Sequence, residues 1–140
     1  MIQKILISDK LYQQERELRN RVLLRPIGLP DFAWEMFDEK SSHFVSIEND
    51  KVIGCVLLFP DGEKAKLLQM AVDSNWQRKG IGNQLLDTLL KFAREKNITS
   101  VYCSAREDAI EFYLKAGFEI VSDYFEEVGV RHVKMEIKIL

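Results

Sequence analysis

The stretch from residue 70 to residue 86 constrains the fold of this chain more than any other part of the sequence. It begins with the apolar run Met70-Ala71-Val72, continues through a turn that contains Gly80 and Gly82, and ends in the start of a helix. From Ile81 to Ala93, apolar residues recur every three or four positions while polar residues fill the remaining face. The stretch therefore predicts a strand, a glycine-containing turn and an amphipathic helix packed on a core.

The first turn of this predicted helix lacks acidic residues. Helix N-termini usually collect Asp or Glu near the positive end of the helix dipole, but here Gln77, Arg78 and Lys79 precede the helix and Asp87 is its first acid. The two glycines leave the free backbone N–H groups open to an anion, which predicts a phosphate-binding turn. The same glycines and cations would also be expected in a solvated loop before a helix, so composition alone does not decide between the two. Two other phosphate-binding loops do not match. Residues 80–85 lack the third glycine of the dinucleotide fingerprint, and no Gly-x-x-x-x-Gly-Lys-Ser/Thr loop occurs in the chain.

The length and charge of the chain limit its class. A chain of 140 residues predicts a single domain, 1–140, and its 20 basic and 22 acidic residues give a net charge of −2, so no overall field attracts nucleic acid or anionic lipid. Cys55 and Cys103 lie in apolar runs, which favours buried reduced thiols over a disulfide, and no cluster of metal-ligating residues occurs. The apolar run at the N-terminus is too short for a signal sequence or a membrane span. We expect a cytoplasmic protein that binds neither nucleic acid, membrane nor metal.

The order of predicted elements indicates an α/β fold. A strand at 2–7 leads into a helix that Asp9 can cap and that ends near Pro26, and three antiparallel strands follow at 43–48, 51–59 and 64–73. The long helix is followed by a parallel strand at 98–104, a helix at 107–116 and strands at 118–121 and 130–140, the last with His132 on its polar face. This order predicts a mixed, mainly antiparallel central sheet with helices on both faces.

Two sequence motifs resemble those of a known superfamily. Gln77-Arg78-Lys79-Gly80-Ile81-Gly82 resembles the acyl-CoA signature of the GNAT superfamily of N-acetyltransferases, Gln/Arg-x-x-Gly-x-Gly/Ala, and Met70-Ala71-Val72 matches the triplet that precedes it. The stretch 109–118 is similar to the second motif of that family. The resemblance implies a GNAT fold, acetyl-CoA as co-substrate, and direct transfer of an acetyl group to a primary amine in a ternary complex. It leaves open whether the chain forms a homodimer and whether the amine acceptor is a small molecule or a peptide.

The same resemblance implies which residues bind and react. In the resembled family the pantetheine arm pairs with the strand before the turn, and the pyrophosphate lies on the turn itself. The residues implied as cofactor-binding are Met70, Ala71, Val72, Gln77, Arg78, Lys79, Gly80, Ile81 and Gly82. Tyr113 stands at the tyrosine of the second motif and is implied as the proton donor to the departing thiolate, although its spacing alone indicates one more core aromatic residue.

The sequence departs from the family pattern at two positions. Gln69 replaces a frequent glutamate on the central strand, and Arg106 replaces a frequent asparagine seven residues before the tyrosine. The general base is therefore open among water, His43 and His132. Neither histidine is preferred, since a lone histidine at a strand end is more often a surface or capping group. The departures also motivate a second hypothesis, an acyl-CoA-binding sensor or interaction module with decayed activity. Both hypotheses predict CoA binding, but only the enzyme predicts thiol release with an amine.

The region before the second strand predicts one wall of a pocket. In the resembled superfamily the first helices and their connection form a wall of the acceptor site. We assign Trp34 to the core, and leave Phe32 and Met36 open between the core and a cavity cover. A narrower resemblance links the stretch 18–23, Ser42-His43 and the stretch 129–135 to a bacterial branch of small stand-alone members, although Arg25-Pro26 replaces that branch's acidic-Gln pair.

Overall fold

Eight strands and three helices make up the chain, of which the computed structural model describes residues 1–140. The strands are β1 Ile2–Ile5, β2 Ser42–Glu48, β3 Lys51–Asp61, β4 Lys64–Val72, β5 Ser100–Arg106, β6 Glu119–Ile120, β7 Phe125–Glu127 and β8 Val130–Lys138. The helices are α1 Tyr12–Arg19, α2 Ile81–Glu95 and α3 Ile110–Lys115. None of them is both long and apolar enough to cross a membrane.

The strands form one sheet in the order β1-β2-β3-β4-β5-β8-β6, with β7 also paired to β8. Every pair is antiparallel except β4 with β5, and β4 lies near the middle of the sheet. Asn49 and Asp50 join β2 to β3 with φ angles of 51° and 62°, the conformation of a two-residue hairpin turn. The predicted mixed, mainly antiparallel sheet is confirmed.

Helices cover both faces of the sheet. On one face, Leu85 and Leu89 of α2 pack with Val56 and Leu67 in the larger part of the core, to which α3 also contributes. On the other face, Leu18 of α1 packs in a smaller cluster, whose sheet members include Val45, Cys55 and Ala71. Because successive strand residues point to opposite faces, apolar residues at neighbouring positions serve both layers.

A bulge interrupts β4 at Gln69. Leu57 pairs with Leu68 and Cys55 pairs with Ala71, so that β4 has one more residue than β3 between these pairs. Gln69 has a φ of 53°, in the left-handed region that non-glycine residues rarely adopt. On the other side, β4 pairs with β5 only from Lys64 to Lys66, and the two strands then separate.

Gly54 on β3 allows the start of α2 to lie close to the sheet. A Cβ atom at this position would lie 3.0 Å from Cγ2 of Ile81 and 3.0 Å from Cδ1 of Leu85. Any larger residue would therefore push the first turn of α2 away from β3. No local sequence pattern indicates the role of Gly54, because that role depends on a contact with Ile81, 27 positions away.

The C-terminal region differs most from the predicted elements. Strand β7 was not predicted, because its residues Phe125, Glu126 and Glu127 are all exposed and carry no apolar alternation. It forms a hairpin with β8 through Val128 and Gly129, whose φ angles are 49° and 75°. The predicted helix at 107–116 begins with a 3₁₀ turn, Glu107–Ala109, before α3.

Four charged side chains lie buried between α1 and the sheet. We call Glu15, Arg19, Asp38 and His43 the buried charge network; each is at most 3% exposed. The Arg19 guanidinium donates to the Glu15 carboxylate at 2.7 Å and to both Asp38 carboxylate oxygens at 2.9 Å. His43 Nδ1 lies 2.8 Å from Glu15 Oε1, and its Nε2 lies 2.7 Å from the Asp38 carbonyl. With Glu15 ionised, both partners of the imidazole accept hydrogen bonds, and the geometry fits a doubly protonated His43.

The charge balance of the network agrees with that protonation state. Two carboxylates face one guanidinium, so a protonated His43 brings the buried charge to zero. Burial lowers the pKa of His43, but the hydrogen bond and the negative charge of Glu15 outweigh burial and leave the pKa above its ordinary value. The folded state therefore binds a proton that the unfolded chain releases at lower pH.

The network predicts a stability that falls at alkaline pH. The contribution of His43 to the free energy of unfolding is fully present below about pH 6.5, the pKa of histidine in the unfolded chain. It is lost as the pH rises through the raised pKa of His43 in the folded state. Urea unfolding from pH 6 to pH 8.5 should show this loss, with a slope of at most about 1.4 kcal/mol per pH unit. The slope should be absent in His43→Gln and kept in His132→Gln, which alters the other histidine. An equal slope in His43→Gln would contradict the assignment.

Candidate active site

A cavity of about 700 Å³ opens where β4 and β5 separate. Its lining comes from the segment between α1 and β2, strand β4, the turn before α2, the first turn of α2, strand β5, the 3₁₀ turn before α3, helix α3 and the β7–β8 hairpin. The cavity therefore lies where the 70–86 stretch predicted a strand, a turn and a helix to meet. Its lining also includes residues from 22–37 and from 103–132.

The turn before α2 presents free backbone donors. Gly80 caps the helix with a φ of 82°, and no side chain caps the N-terminus. The first backbone N–H with an acceptor is that of Gln84, which donates to the Gly80 carbonyl at 3.1 Å. No acidic residue lies in the first helical turn. Free N–H groups and an uncompensated positive dipole end make this turn suitable for an anion such as phosphate.

The predicted cofactor-binding residues are found together, with one exception. Eight of them line the cavity: Met70, Ala71, Val72, Gln77, Arg78, Gly80, Ile81 and Gly82. Lys79 does not line it, and its ammonium lies 5.0 Å from the centre of the Trp76 ring. Gln77 has a role of its own, because its amide donates to the Val72 carbonyl at 3.1 Å and ties the turn to the end of β4.

The edge of β4 that faces β5 is unpaired along the cavity. The parallel pairing ends at Lys66, so the part of β4 that contains Met70, Ala71 and Val72 has no strand on this side. An extended ligand carrying amide groups can pair with such an edge in the manner of an added strand. Gly82 contributes through contact, since a Cβ atom there would lie 3.3 Å from Cε1 of Phe112 on α3.

Tyr113 belongs to the core and to the cavity at once. Its ring packs against Phe112 and Phe118, with centroid separations of 5.0 and 5.3 Å, and the residue is 6% exposed. Its hydroxyl makes no hydrogen bond within the protein, and the residue lines the cavity. Burial raises the pKa of the Tyr113 phenol, which therefore keeps its proton. The side chain is placed as a neutral donor without a partner.

The two histidines have different positions. His43 is buried in the charge network, outside the cavity, with both ring nitrogens occupied. His132 lines the cavity, and its Nδ1 donates to the Val130 carbonyl at 2.8 Å, which leaves Nε2 without a hydrogen bond in the protein. The alternation of the last strand predicted His132 on its polar face, but the residue is only 6% exposed because the Phe125 ring of the unpredicted β7 stacks on it at 5.9 Å.

Gln69 and Arg106, the two residues that depart from the family pattern, both line the cavity. The side-chain oxygen of Gln69 accepts a hydrogen bond from Arg19 Nε at 2.8 Å, and its amide donates to the Trp34 carbonyl at 3.5 Å. Gln69 thus joins the buried charge network to the bulge of β4. Arg106 extends one NH2 group to Asp108 at 3.4 Å, while its buried Nε has no partner.

An apolar wall completes the cavity. The chain after α1 continues as a π-helical turn, Asn20–Leu24, and a 3₁₀ turn, Arg25–Ile27. The wall residues are Val22, Leu23, Ile27, Trp34 and Phe37. Trp34, which we assigned to the core, lines the cavity instead, because a φ of 70° turns the chain there. Phe32 is 37% exposed beneath Arg16, and Met36 is 76% exposed; neither belongs to the core.

Neither cysteine can act as a thiolate nucleophile at this site. Both are free and buried, as predicted. Burial raises the pKa of Cys103 to about 12 and raises that of Cys55 well above its usual range. A thiol with such a pKa is not ionised near neutral pH and is a poor nucleophile.

Comparison with known proteins agrees with the geometry. Residues 14–139 match the family model described as an acetyltransferase (GNAT) domain. Protein YyaT of Bacillus subtilis (strain 168), an uncharacterized protein, is 26% identical over 106 residues, which cover 76% of this chain and 72% of that protein.

Solved structures show the same fold. Escherichia coli ElaA superposes with a TM-score of 0.86 at 21% identity, covering 97% of this chain and 98% of that one. A GNAT family acetyltransferase from Elizabethkingia anophelis with acetyl-CoA bound superposes with a TM-score of 0.78 at 18% identity, covering 99% and 97% of the two chains. Because the family model matches residues 14–139, which are nearly the whole chain, this chain belongs to the GNAT family of acetyltransferases.

Proposed function

We propose that this chain transfers an acetyl group from acetyl-CoA to a primary amine by direct attack in a ternary complex. The observation that supports the proposal most is the coincidence, in one cavity, of an open helix N-terminus, an unpaired strand edge and the free hydroxyl of Tyr113. Each of these matches one part of a thioester-bearing CoA molecule: the pyrophosphate, the amides of the pantetheine arm and the sulfur.

The turn before α2 binds the pyrophosphate in this proposal. Gly80, Ile81 and Gly82 supply backbone N–H groups, and Arg78 adds a positive charge that no ion pair of the protein neutralises. Lys79 contributes only to the surrounding positive field, since its side chain lies over Trp76 outside the cavity. The pantetheine amides pair with Met70, Ala71 and Val72, except that the Val72 carbonyl is already bonded to Gln77.

The chemical step requires three groups around the thioester. The nitrogen of a neutral amine attacks the thioester carbon, a C–N bond forms, and the C–S bond breaks with its electron pair going to sulfur. Tyr113 donates its phenolic proton to the thiolate sulfur, and a base takes the proton that the attacking nitrogen loses. The raised pKa of Tyr113 keeps the phenol neutral until the sulfur becomes negative.

His132 is the best-placed base of the alternatives considered. Its side chain lines the cavity, and because Nδ1 is bonded to the Val130 carbonyl, Nε2 is the nitrogen of the neutral ring that can accept a proton. His43 cannot serve, because both its nitrogens already donate within the buried charge network. Gln69 holds the position of the family's glutamate but has no titratable proton, and its side chain is held by Arg19 and the Trp34 carbonyl.

A sensor function is the second candidate, and Gln69 is the observation that favours it. A thiol-release assay with acetyl-CoA and a panel of amines separates the two functions. The panel should contain aromatic and aliphatic monoamines, polyamines, an aminoglycoside and lysine-containing and N-terminal peptides. Thiol release that depends on an amine supports the enzyme, whereas CoA binding without release for any amine supports the sensor.

Gly82→Asp should weaken acetyl-CoA binding, because it places a carboxylate where the phosphate lies. We expect a loss of about tenfold or more, set by repulsion between like charges at a partly screened site. Calorimetric titration of the folded variant measures the loss. Gly82→Asn is the matched control: it adds the same bulk near Phe112 without the charge, and should bind more tightly than the aspartate variant. Unchanged affinity in Gly82→Asp would contradict the phosphate assignment.

Tyr113→Phe should lower turnover and leave acetyl-CoA affinity almost unchanged. The substitution keeps the ring packed against Phe112 and Phe118 and removes only the hydroxyl, so a core role and a donor role predict different results. Loss of a positioned acid typically costs about 10²-fold in rate. Single-turnover measurements isolate the chemical step. If the variant shows wild-type chemistry, Tyr113 has no part in the mechanism.

His132→Gln should also reduce turnover by about 10²-fold, since glutamine cannot accept a proton. Its acetyl-CoA affinity should stay near that of the wild type. Comparison with His43→Gln distinguishes the roles of the two histidines, because His43→Gln should alter stability and its pH dependence far more than the rate constant of the chemical step. A turnover loss confined to His43→Gln would refute the choice of His132.

A further inference from the structure

The acceptor side of the cavity combines an apolar surface with one available carboxylate. Every cavity residue contributed by the segment between α1 and β2 is apolar, and the β7–β8 turn adds Val128. The segment residues are Val22, Leu23, Ile27, Trp34 and Phe37. None of them provides a charged group for a polar substrate.

Glu127 is the carboxylate that a cationic acceptor can use. Asp108 and Glu127 are the acidic residues of the cavity lining, and Asp108 is already within 3.4 Å of Arg106. Glu127 has no arginine or lysine partner, and its Oε2 lies 3.7 Å from Nε2 of His132. An acceptor that arrives at Glu127 as an ammonium releases one proton to solvent before it reacts, and its neutral nitrogen then lies next to His132, the base proposed for the proton lost on attack.

We propose that the acceptor is a hydrophobic primary monoamine, whose apolar body lies against the wall and whose nitrogen binds at Glu127. This inference rests on the proposed acetyl transfer. A polyamine or an aminoglycoside would bring several cations against a wall that offers no carboxylate, and unpaired charges are costly to remove from water. An aromatic or branched aliphatic body instead gains from burial against Trp34 and Phe37.

The first test compares four amines in the thiol-release assay at saturating acetyl-CoA: 2-phenylethylamine, tryptamine, ethylamine and spermidine. The two aromatic amines should have kcat/KM values about 10-fold to 100-fold above that of ethylamine, as expected for burial of a ring. Spermidine should be no better than ethylamine. A higher kcat/KM for spermidine, or equal values for ethylamine and 2-phenylethylamine, would overturn the inferred class while leaving the acetyl transfer intact.

The second test replaces the carboxylate. Glu127→Gln should raise KM for 2-phenylethylamine about tenfold with little change in kcat, because the lost ion pair acts on binding. Glu126→Gln is the matched control, since Glu126 is the neighbouring residue on β7, carries the same charge and does not line the cavity. Equal effects of the two substitutions would overturn the role of Glu127. If acetyl-CoA binds and no amine is acetylated, the proposed function itself fails, and this inference with it.

Discussion

The separation of β4 from β5 is the constraint on which the rest of the site depends. After three paired residues the two strands diverge, and the cavity forms between their C-terminal ends. The bulge at Gln69 on the opposite edge of β4 adds a residue to the strand and changes its direction where the separation occurs. A connection that contains the 3₁₀ turn Ser74–Trp76 joins β4 to helix α2, and the N-terminus of α2 lies at one end of the opening. The strand edge, the turn proposed to bind an anion and the side chains proposed as catalytic all line this opening.

The sequence predicted the parts of this site that depend on local pattern. The turn before α2, the central position of β4 and the helices on both faces follow from glycine spacing and apolar periodicity. Features that depend on distant contacts were not predictable in this way. Gly54 matters because of Ile81, and His132 is buried because of Phe125, which lies on a strand whose three residues are all exposed. Trp34 faces the cavity because of a local positive φ that no sequence pattern indicated.

The buried charge network offers a physical reason for glutamine at position 69. Arg19 already balances two carboxylates together with His43, and its remaining Nε donor is directed at the side-chain oxygen of Gln69. A glutamate at this position would add a third buried negative charge to a group that is now neutral, and such a charge is costly unless it is paired. The amide satisfies the same donor without that cost. The residue that departs from the family pattern is thus suited to its own surroundings, and the base proposed above, His132, lies on another element, β8.

The short parallel pairing of β4 with β5 also bears on how long the folded protein survives. Three residue pairs form the backbone join between the four N-terminal strands and the C-terminal strands, so this seam is a natural place for local opening. A ligand that lies along the open edge supplies the hydrogen bonds that a longer join would have made, and it stabilises the closed form by mass action. Cleavage by proteases follows the population of opened molecules. The supply of the acyl donor would then influence the lifetime of the protein as well as its rate of catalysis.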